Sequence, residues 1–335
     1  MEHVNNSHKI LDSEPKPKWN WLKYAMTWES FLLMTAVVVF IMNSMASPYF
    51  LDPWSLSDAT FNFTEKAIVA LPMALIIIVR EIDISVASIM ALSSVAMGMA
   101  AQHGFDVTTI CIIGLAVGTL CGFFNGLLIT RLNIPSIVVT IGTMSLFRGI
   151  AYIVLGDQAI GAYPSGFEYF GQGYVFSYFS FEFVFFSVMA VIFYVVLQKS
   201  NIGRRIYSIG NNPTASFYTG INVAGYKLVL FTLLGLFSAI AAIMLTSRLG
   251  STRPTIALGW EMGIITMVVL GGVSILGGSG TIVGVVLSVF LMGLVTVGLG
   301  LLNVPGIVMS IIIGCMLIGV IACPILLKRI LKKKG

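Results

Sequence analysis

From about residue 30 onward the chain alternates long apolar runs with short polar joints, and one joint stands apart by its length. A helix needs about 20 mainly apolar residues to cross a bilayer. Runs of that kind predict ten spans, at roughly 30–47, 65–80, 86–101, 107–130, 134–155, 176–197, 226–246, 261–277, 281–300 and 305–327. The third and eighth are short, which suits a broken or re-entrant helix as well as a full crossing. The exceptional joint is 199–223, K-S-N-I-G-R-R-I-Y-S-I-G-N-N-P-T-A-S-F-Y-T-G-I-N-V, a basic island punctuated by glycines. Within it Asn212 can cap a short helix, Pro213 suits the first helical position and Gly220 can end it. About two turns of helix held by flanking loops would fit a groove on a partner. The plain alternative is a solvated connector.

The predicted fold class is therefore an all-α polytopic membrane protein. Composition agrees: 57% of residues are hydrophobic and 10% charged, against about 25% charged in soluble domains. The basic residues are sorted along the chain. Lys9, Lys16, Lys18 and Lys23 lie in the tail 1–29, Lys199, Arg204, Arg205 and Lys227 border the island, and Lys328, Arg329, Lys332, Lys333 and Lys334 lie in the tail 328–335. Cytoplasmic loops favour Lys and Arg, so both tails and the island are expected on the cytoplasmic side of a transmembrane domain at 30–327. Asp52, Asp58, Asp106, Asp157 and Glu168 then fall on the opposite side. The net charge of +5 reads as topology, not as a nucleic-acid footprint. The first apolar run reads as a retained span, not a cleavable signal.

An internal echo accompanies this plan. L-N-I-P-S-I-V-V-T-I at 132–141 returns as L-N-V-P-G-I-V-M-S-I at 302–311, with five predicted spans between the copies. An odd number would invert the second copy, giving a 5+5 repeat of the kind that places a transport route between its halves. Gly114, Gly118, Gly122 and Gly126, four apart, make one bare stripe on the fourth span, suited to close helix packing or to lining a path.

Three polar stretches carry candidate chemistry. R-E-I-D-I-S-V-A-S at 80–88 brings charges to the edge of a span, either near a route or as a turn with Asp83 or Ser85 capping the next helix. S-R-L-G-S-T-R-P-T-I-A-L-G-W-E at 247–261 reads as an external loop whose two arginines run against the charge rule. Glu261 there suits a helix N-terminus, or the loop forms a mouth. Asp83, Ser85, Asn125, Arg253 and Glu261 are the candidates for the route or its gate. L-G-G-V-S-I-L-G-G-S-G-T-I-V-G at 270–284 lacks the Gly-Lys-Ser or Gly-Lys-Thr of a phosphate loop and predicts a broken or tightly packed helix pair.

Cys111, Cys121, Cys315 and Cys323 show no metal or disulfide spacing. His3, His8 and His103 form no cluster, and no hydrolase motif is present, so no catalytic or metal-binding residue is expected.

Taken together, I-D-I-S-V-A-S (82–88), I-G-R-R-I-Y-S-I-G-N-N (202–212) with G-I-N-V (220–223), and G-W-E (259–261) followed by the glycine-dense stretch resemble the permease subunit of bacterial ATP-binding-cassette sugar importers of the ribose, xylose and arabinose type. The likeness runs from about residue 40 to 325. It implies a bacterial inner-membrane protein and a second permease, identical or homologous. It also implies a paired cytoplasmic ATPase that carries the ATP and magnesium, and an external sugar-binding protein. This chain itself would bind no cofactor and catalyse no covalent chemistry. Gly203, Arg204, Arg205, Gly210, Asn211, Asn212, Pro213, Thr214 and Gly220 match the coupling segment that meets the ATPase. Glu81 and Ala87 stand where the family has glycines. The C-terminal half leans toward rhamnose-type members, with a furanosyl signalling molecule, autoinducer 2, as an alternative cargo. The rival from another class is an ion-coupled secondary transporter, for which Glu182, Glu261 and Asp83 are the candidate buried carboxylates.

Overall fold

Where no water can satisfy the backbone, an apolar run closes its hydrogen bonds internally, and each of the ten predicted runs contains a helix. The structure, a computed structural model, describes residues 27–175, 178–316 and 318–319. Its order is α1 (Trp28–Ala46), α2 (Pro53–Ile78), α3 (Val86–Gln102), α4 (Val107–Arg131), α5 (Ser136–Leu155) and a short α6 (Tyr169–Gln172). An antiparallel pair, β1 (Tyr174–Val175) with β2 (Phe179–Ser180), follows. Then come α7 (Phe181–Tyr194) with a π-turn at Val195–Lys199, α8 (Asn201–Asn211), α9 (Pro213–Tyr218), α10 (Val223–Leu249), α11 (Trp260–Leu270), α12 (Ile282–Leu301) and α13 (Gly306–Met316). Among the described residues six helices are long and apolar enough to cross a membrane: α1, α4, α5, α7 with its π-turn, α10 and α12. The tails 1–26 and 320–335, with the end of the tenth predicted run, lie outside the described residues.

The boundaries differ from the expectation at three places, each with a local cause. α2 begins at Pro53 and not at residue 65. Its first turns are polar, and the hairpin satisfies them: Ser57 Oγ donates to the Tyr178 carbonyl, and the Thr60 and Ser180 hydroxyls share a hydrogen bond of 2.7 Å. The sixth run starts as a helix only at Phe181, because that hairpin occupies the residues before it. α11 stops at Leu270 and not at 277. Gly272, Gly277 and Gly278 take φ of 84°, 79° and 74°, a conformation that no right-handed helix contains.

α2 is the centre of the bundle. Ala67–Leu71 and Met73–Val79 are buried on every side, as expected of a helix that is apolar all round. The glycine stripe of α4 packs, as expected. A Cβ on Gly118 would sit 2.6 Å from Ala239 Cβ, and one on Gly122 would run into the Phe231 carbonyl and Gly235, both on α10. Two backbones meet there in place of side chains. Phe31, Met34, Ile112, Leu120, Ile137, Ile153 and Val191 stand exposed on the outside, which fits a lipid-facing surface.

The sequence echo extends into geometry. Leu132 and Leu302 each close a helix, and Asn133 (φ 53°) and Asn303 (φ 55°) each take the left-handed conformation. Asn tolerates that conformation better than most residues. Pro135 and Pro305 then accept the first hydrogen bonds of the next helix, from Val138 at 3.0 Å and Val308 at 2.9 Å. The offset of 170 residues, Leu132 to Leu302, also carries the start of α2 onto the start of α10, Pro53 to Val223. It carries the left-handed residue after α2, Arg80 (φ 67°), onto that after α10, Gly250 (φ 61°).

Candidate functional site

The island is two helices, not one helix between loops. α8 occupies 201–211, where flanking loop was expected. Its apolar positions fall on one face, with Gly203, Ile206, Ile209 and Gly210 buried, while Arg204 and Arg205 face outward. The signal was present in the sequence as a period of three to four residues, masked by the glycines. Ser200 caps α8 by accepting from Ile202 N and Gly203 N at 3.1 and 3.4 Å. The second helix, α9, is the one the sequence predicts. Asn212 Oδ1 accepts from Ala215 N at 3.0 Å, Pro213 sits in the first turn, and Gly220 follows at φ 85°. Thr214 is exposed on it, and so are Phe217 (66%) and Tyr218 (82%).

The base of the island is bolted to the membrane helices. A Cβ on Gly210 would run into the Ile78 carbonyl at the end of α2 and into Gly278 N at 2.5 Å. Arg80 Nη2 donates to the Asn211 carbonyl at 2.7 Å, and Gly278 N donates to the Ile78 carbonyl at 2.9 Å. Tyr207 donates to the Gly280 carbonyl at 2.6 Å, and burial pushes its phenol above the ordinary range, so it remains a donor. The glycine-dense stretch is thus the seat of α8, because only glycine lets three backbones meet so closely. Gly203 and Gly210 are interior packing residues, whereas Arg204, Arg205, Asn212, Thr214 and Gly220 lie at the surface. Arg204 donates to Asn201 Oδ1, and Arg205 to the Tyr226 hydroxyl at 3.1 Å. Arg204, Tyr207, Ser208, Asn211 and Asn212 line a hollow of about 470 Å³ between α8 and α9.

Asp83, Ser85 and Asn125 come together, fully buried, in the joint between α2 and α3. Asp83 Oδ1 accepts from Ser85 N (2.7 Å) and Oγ (2.6 Å), and Asn125 Nδ2 donates to Ser85 Oγ (2.8 Å) and Asp83 Oδ2 (3.3 Å). The arrangement pins α4 to the joint that leads into α3, while Asn125 Oδ1 keeps no partner among the described residues. Glu81, in place of a family glycine, pairs with Lys227 at the start of α10. Ala87, in place of the other, is buried in α3.

Arg253 and Glu261 lie apart from that cluster, in the 250–259 loop and the first turn of α11. The loop is held on two sides. Thr252 and Ile160 exchange backbone hydrogen bonds of 2.8 and 3.1 Å, and Arg148 on α5 donates through Nη1 to the carbonyls of Pro254 (2.6 Å) and Ile256 (2.8 Å). Sequence reasoning passed over Arg148, although an arginine within an apolar run is itself a signal. It also passed over the pair of the fully buried Glu65 on α2 with the partly exposed Arg248 on α10, Nε to Oε1 at 2.6 Å. Among the carboxylates it did single out, Glu182 is fully buried and Glu261 only half-buried. Arg248, Arg253, Thr255, Ile256 and Trp260 line a cleft of about 440 Å³. No cluster of three or more potential metal ligands occurs among the described residues.

Residues 55–321 match the family described as branched-chain amino acid transport system, permease component. Among curated proteins the chain is similar to the autoinducer 2 import system permease protein LsrD of Enterobacter sp. (strain 638), at 34% identity over 302 residues, 88% of this chain and 92% of the relative. The LsrD protein of Klebsiella pneumoniae subsp. pneumoniae is 33% identical over 306 residues, 90% of this chain and 92% of the relative. That of Escherichia coli (strain K12) is 34% identical over 300 residues, 88% and 91%. No solved structure matches. These relatives correspond to the alternative cargo of the sequence reading and not to its rhamnose leaning. With the family matched over 55–321, the chain belongs to these permeases and is a multi-pass membrane subunit of the ATP-binding-cassette importer type, of the sugar-transporting group.

Proposed function

We propose that the chain is one permease of a binding-protein-dependent importer that carries a small polyhydroxylated molecule of the autoinducer 2 type into the cytoplasm. A cytoplasmic ATPase holding ATP and magnesium drives it, a second permease completes the membrane path, and an external binding protein delivers the cargo. The observation that carries this is the island. It is a capped helix presenting Phe217 and Tyr218 outward, with a base that contacts the ends of α2 and the glycine seat directly. A push on α9 therefore has a rigid route through α8 into the bundle. Aromatic side chains on a preformed helix are what a groove in a partner takes up.

In this reading ten helices cross or enter the membrane, α3 and α11 incompletely, and the halves related by the 170-residue offset are inverted. Both tails and the island face the cytoplasm, and the hairpin and the 250–259 loop face outward. The grouping of Trp54, Tyr174 and Tyr178, with ring centroids 5.8 Å apart for each Trp54 pair, suits the outer membrane–water boundary.

The test is uptake of labelled autoinducer 2 into proteoliposomes carrying the complete assembly. Uptake that requires ATP, the ATPase and the binding protein supports the proposal. Uptake driven by a proton or sodium gradient without them would replace it with the ion-coupled reading, for which the fully buried Glu65 and Glu182 would be the candidate groups.

A further inference from the structure

The cleft beside the 250–259 loop is better furnished than a gap between helices requires. Its volume of about 440 Å³ falls in the range of small-molecule sites, roughly 300–1,000 Å³. Two guanidinium groups line it. Arg248 is held through Nε by Glu65, and its two terminal nitrogens make no hydrogen bond among the described residues. The Arg253 guanidinium makes no hydrogen bond or ion pair among them, while its carbonyl accepts from Ile256 N at 3.1 Å. Trp260 lines the same space, with the Lys66 ammonium 4.6 Å from its ring centroid. Leu245 and Ile256 supply apolar wall. The loop that forms the rim is fixed by Arg148 and by the Thr252–Ile160 pair, so the cleft is present before anything binds.

We infer that this cleft is a subsite for the transported molecule at the mouth of the permease, and that it takes an uncharged ring rich in hydroxyl groups. The inference rests on the import reading above. Unpartnered guanidinium donors call for acceptor oxygens, and the indole offers an apolar face to the C–H side of a small ring. An anion is not favoured. Glu65 is fully buried and accepts from Arg248 Nε at 2.6 Å, and its Oε2 has no hydrogen-bond partner among the described residues. The ion pair with Glu65 offsets the charge of Arg248 and leaves its terminal nitrogens as hydrogen-bond donors more than as counter-ions.

The experiment uses the complete importer in proteoliposomes and measures autoinducer 2 uptake against concentration for the native chain, Trp260→Ala, Trp260→Phe, Arg253→Gln and Arg248→Lys. Lysine at 248 keeps the charge beside Glu65 and removes the fork of donors. The expected result is a KM raised about tenfold in Trp260→Ala and Arg248→Lys, with most of the maximal rate retained and partial recovery in Trp260→Phe. Unchanged KM in Trp260→Ala, Arg253→Gln and Arg248→Lys would overturn the subsite while leaving the import reading intact. A native importer that takes up no autoinducer 2 would instead count against the reading beneath it. The second measurement is saturation-transfer NMR on the full chain in lipid nanodiscs, with D-ribose and D-ribose 5-phosphate as probes. Saturation of ribose that is lost in Trp260→Ala supports the subsite. Preferential saturation of the phosphate ester would overturn the uncharged-ligand assignment.

Discussion

At the scale of single residues, glycines at 210 and 220 do opposite work. Gly210 is required by crowding, since a methyl group would meet the Ile78 carbonyl and Gly278 N. Overpacking of this kind costs about 1–3 kcal/mol, so Gly210→Ala should lower the melting temperature of the purified protein by several degrees. Gly220 is required by conformation: its φ is 85°, and nothing lies within 4 Å of an added Cβ. Gly220→Ala should cost about 1–2 kcal/mol from left-handed strain alone, and Gly220→Asn should recover part of it. Thermal unfolding in one detergent, across the three variants, checks the contrast. Gly203 belongs with Gly210, because a side chain there would strike the Leu197 carbonyl. A Gly203→Pro variant that fails to transport would report misfolding as readily as uncoupling.

At the scale of elements, α9 separates contact from support. Asn212→Ala removes the cap on Ala215 N and should destabilise by about 1 kcal/mol. Phe217→Ala and Tyr218→Ala remove side chains that stand free of the bundle, so stability should stay within about 0.5 kcal/mol of the parent. If α9 docks the ATPase, those two should nevertheless lose most ATP-dependent uptake and release the ATPase from the purified assembly. A full complement of bound ATPase and unaltered uptake would remove α9 from the coupling role. α9 was legible from Asn212, Pro213 and Gly220, because capping is local chemistry. α8 was not, because two of the four positions on its buried face are glycines, and what Gly210 packs against, Ile78 and Gly278, lies far away in sequence.

At the scale of the whole molecule, the described residues sort into two poles. Trp28, Glu29, Ile78, Arg80, Asn211, Gly278 and Thr281 meet at one, tied by Trp28 Nε1 to the Leu270 carbonyl (2.8 Å) and Thr281 Oγ1 to Glu29 (3.0 Å). Arg148, Ile160, Thr252 and Pro254 meet at the other. The orientation proposed from the charge rule has the first pole in the cytoplasm. An impermeant maleimide should therefore label Leu258→Cys (67% exposed as leucine) from outside intact cells. It should reach Tyr218→Cys only in inverted vesicles, with the native cysteines replaced in both. Labelling of Tyr218→Cys in intact cells would reverse the orientation.

The sequence by itself determined the membrane class, the order of the apolar helices, the helix-capped island and the repeated Leu-Asn-x-Pro joint. Each follows from composition or from neighbours within a few residues, where the physics of desolvation, capping and left-handed turns is local. Tertiary structure decided the rest. Glu65 and Arg248 are 183 positions apart and pair only because α2 and α10 pack together. The glycines of 271–280 were legible as a break or a tightly packed helix pair, and only the tertiary structure showed α8 seated on them. Asp83, Ser85 and Asn125 became one hydrogen-bonded knot inside the protein, and Arg253 became part of a cleft with Trp260, because burial and partnership are set by helix packing across the chain and not by spacing along it.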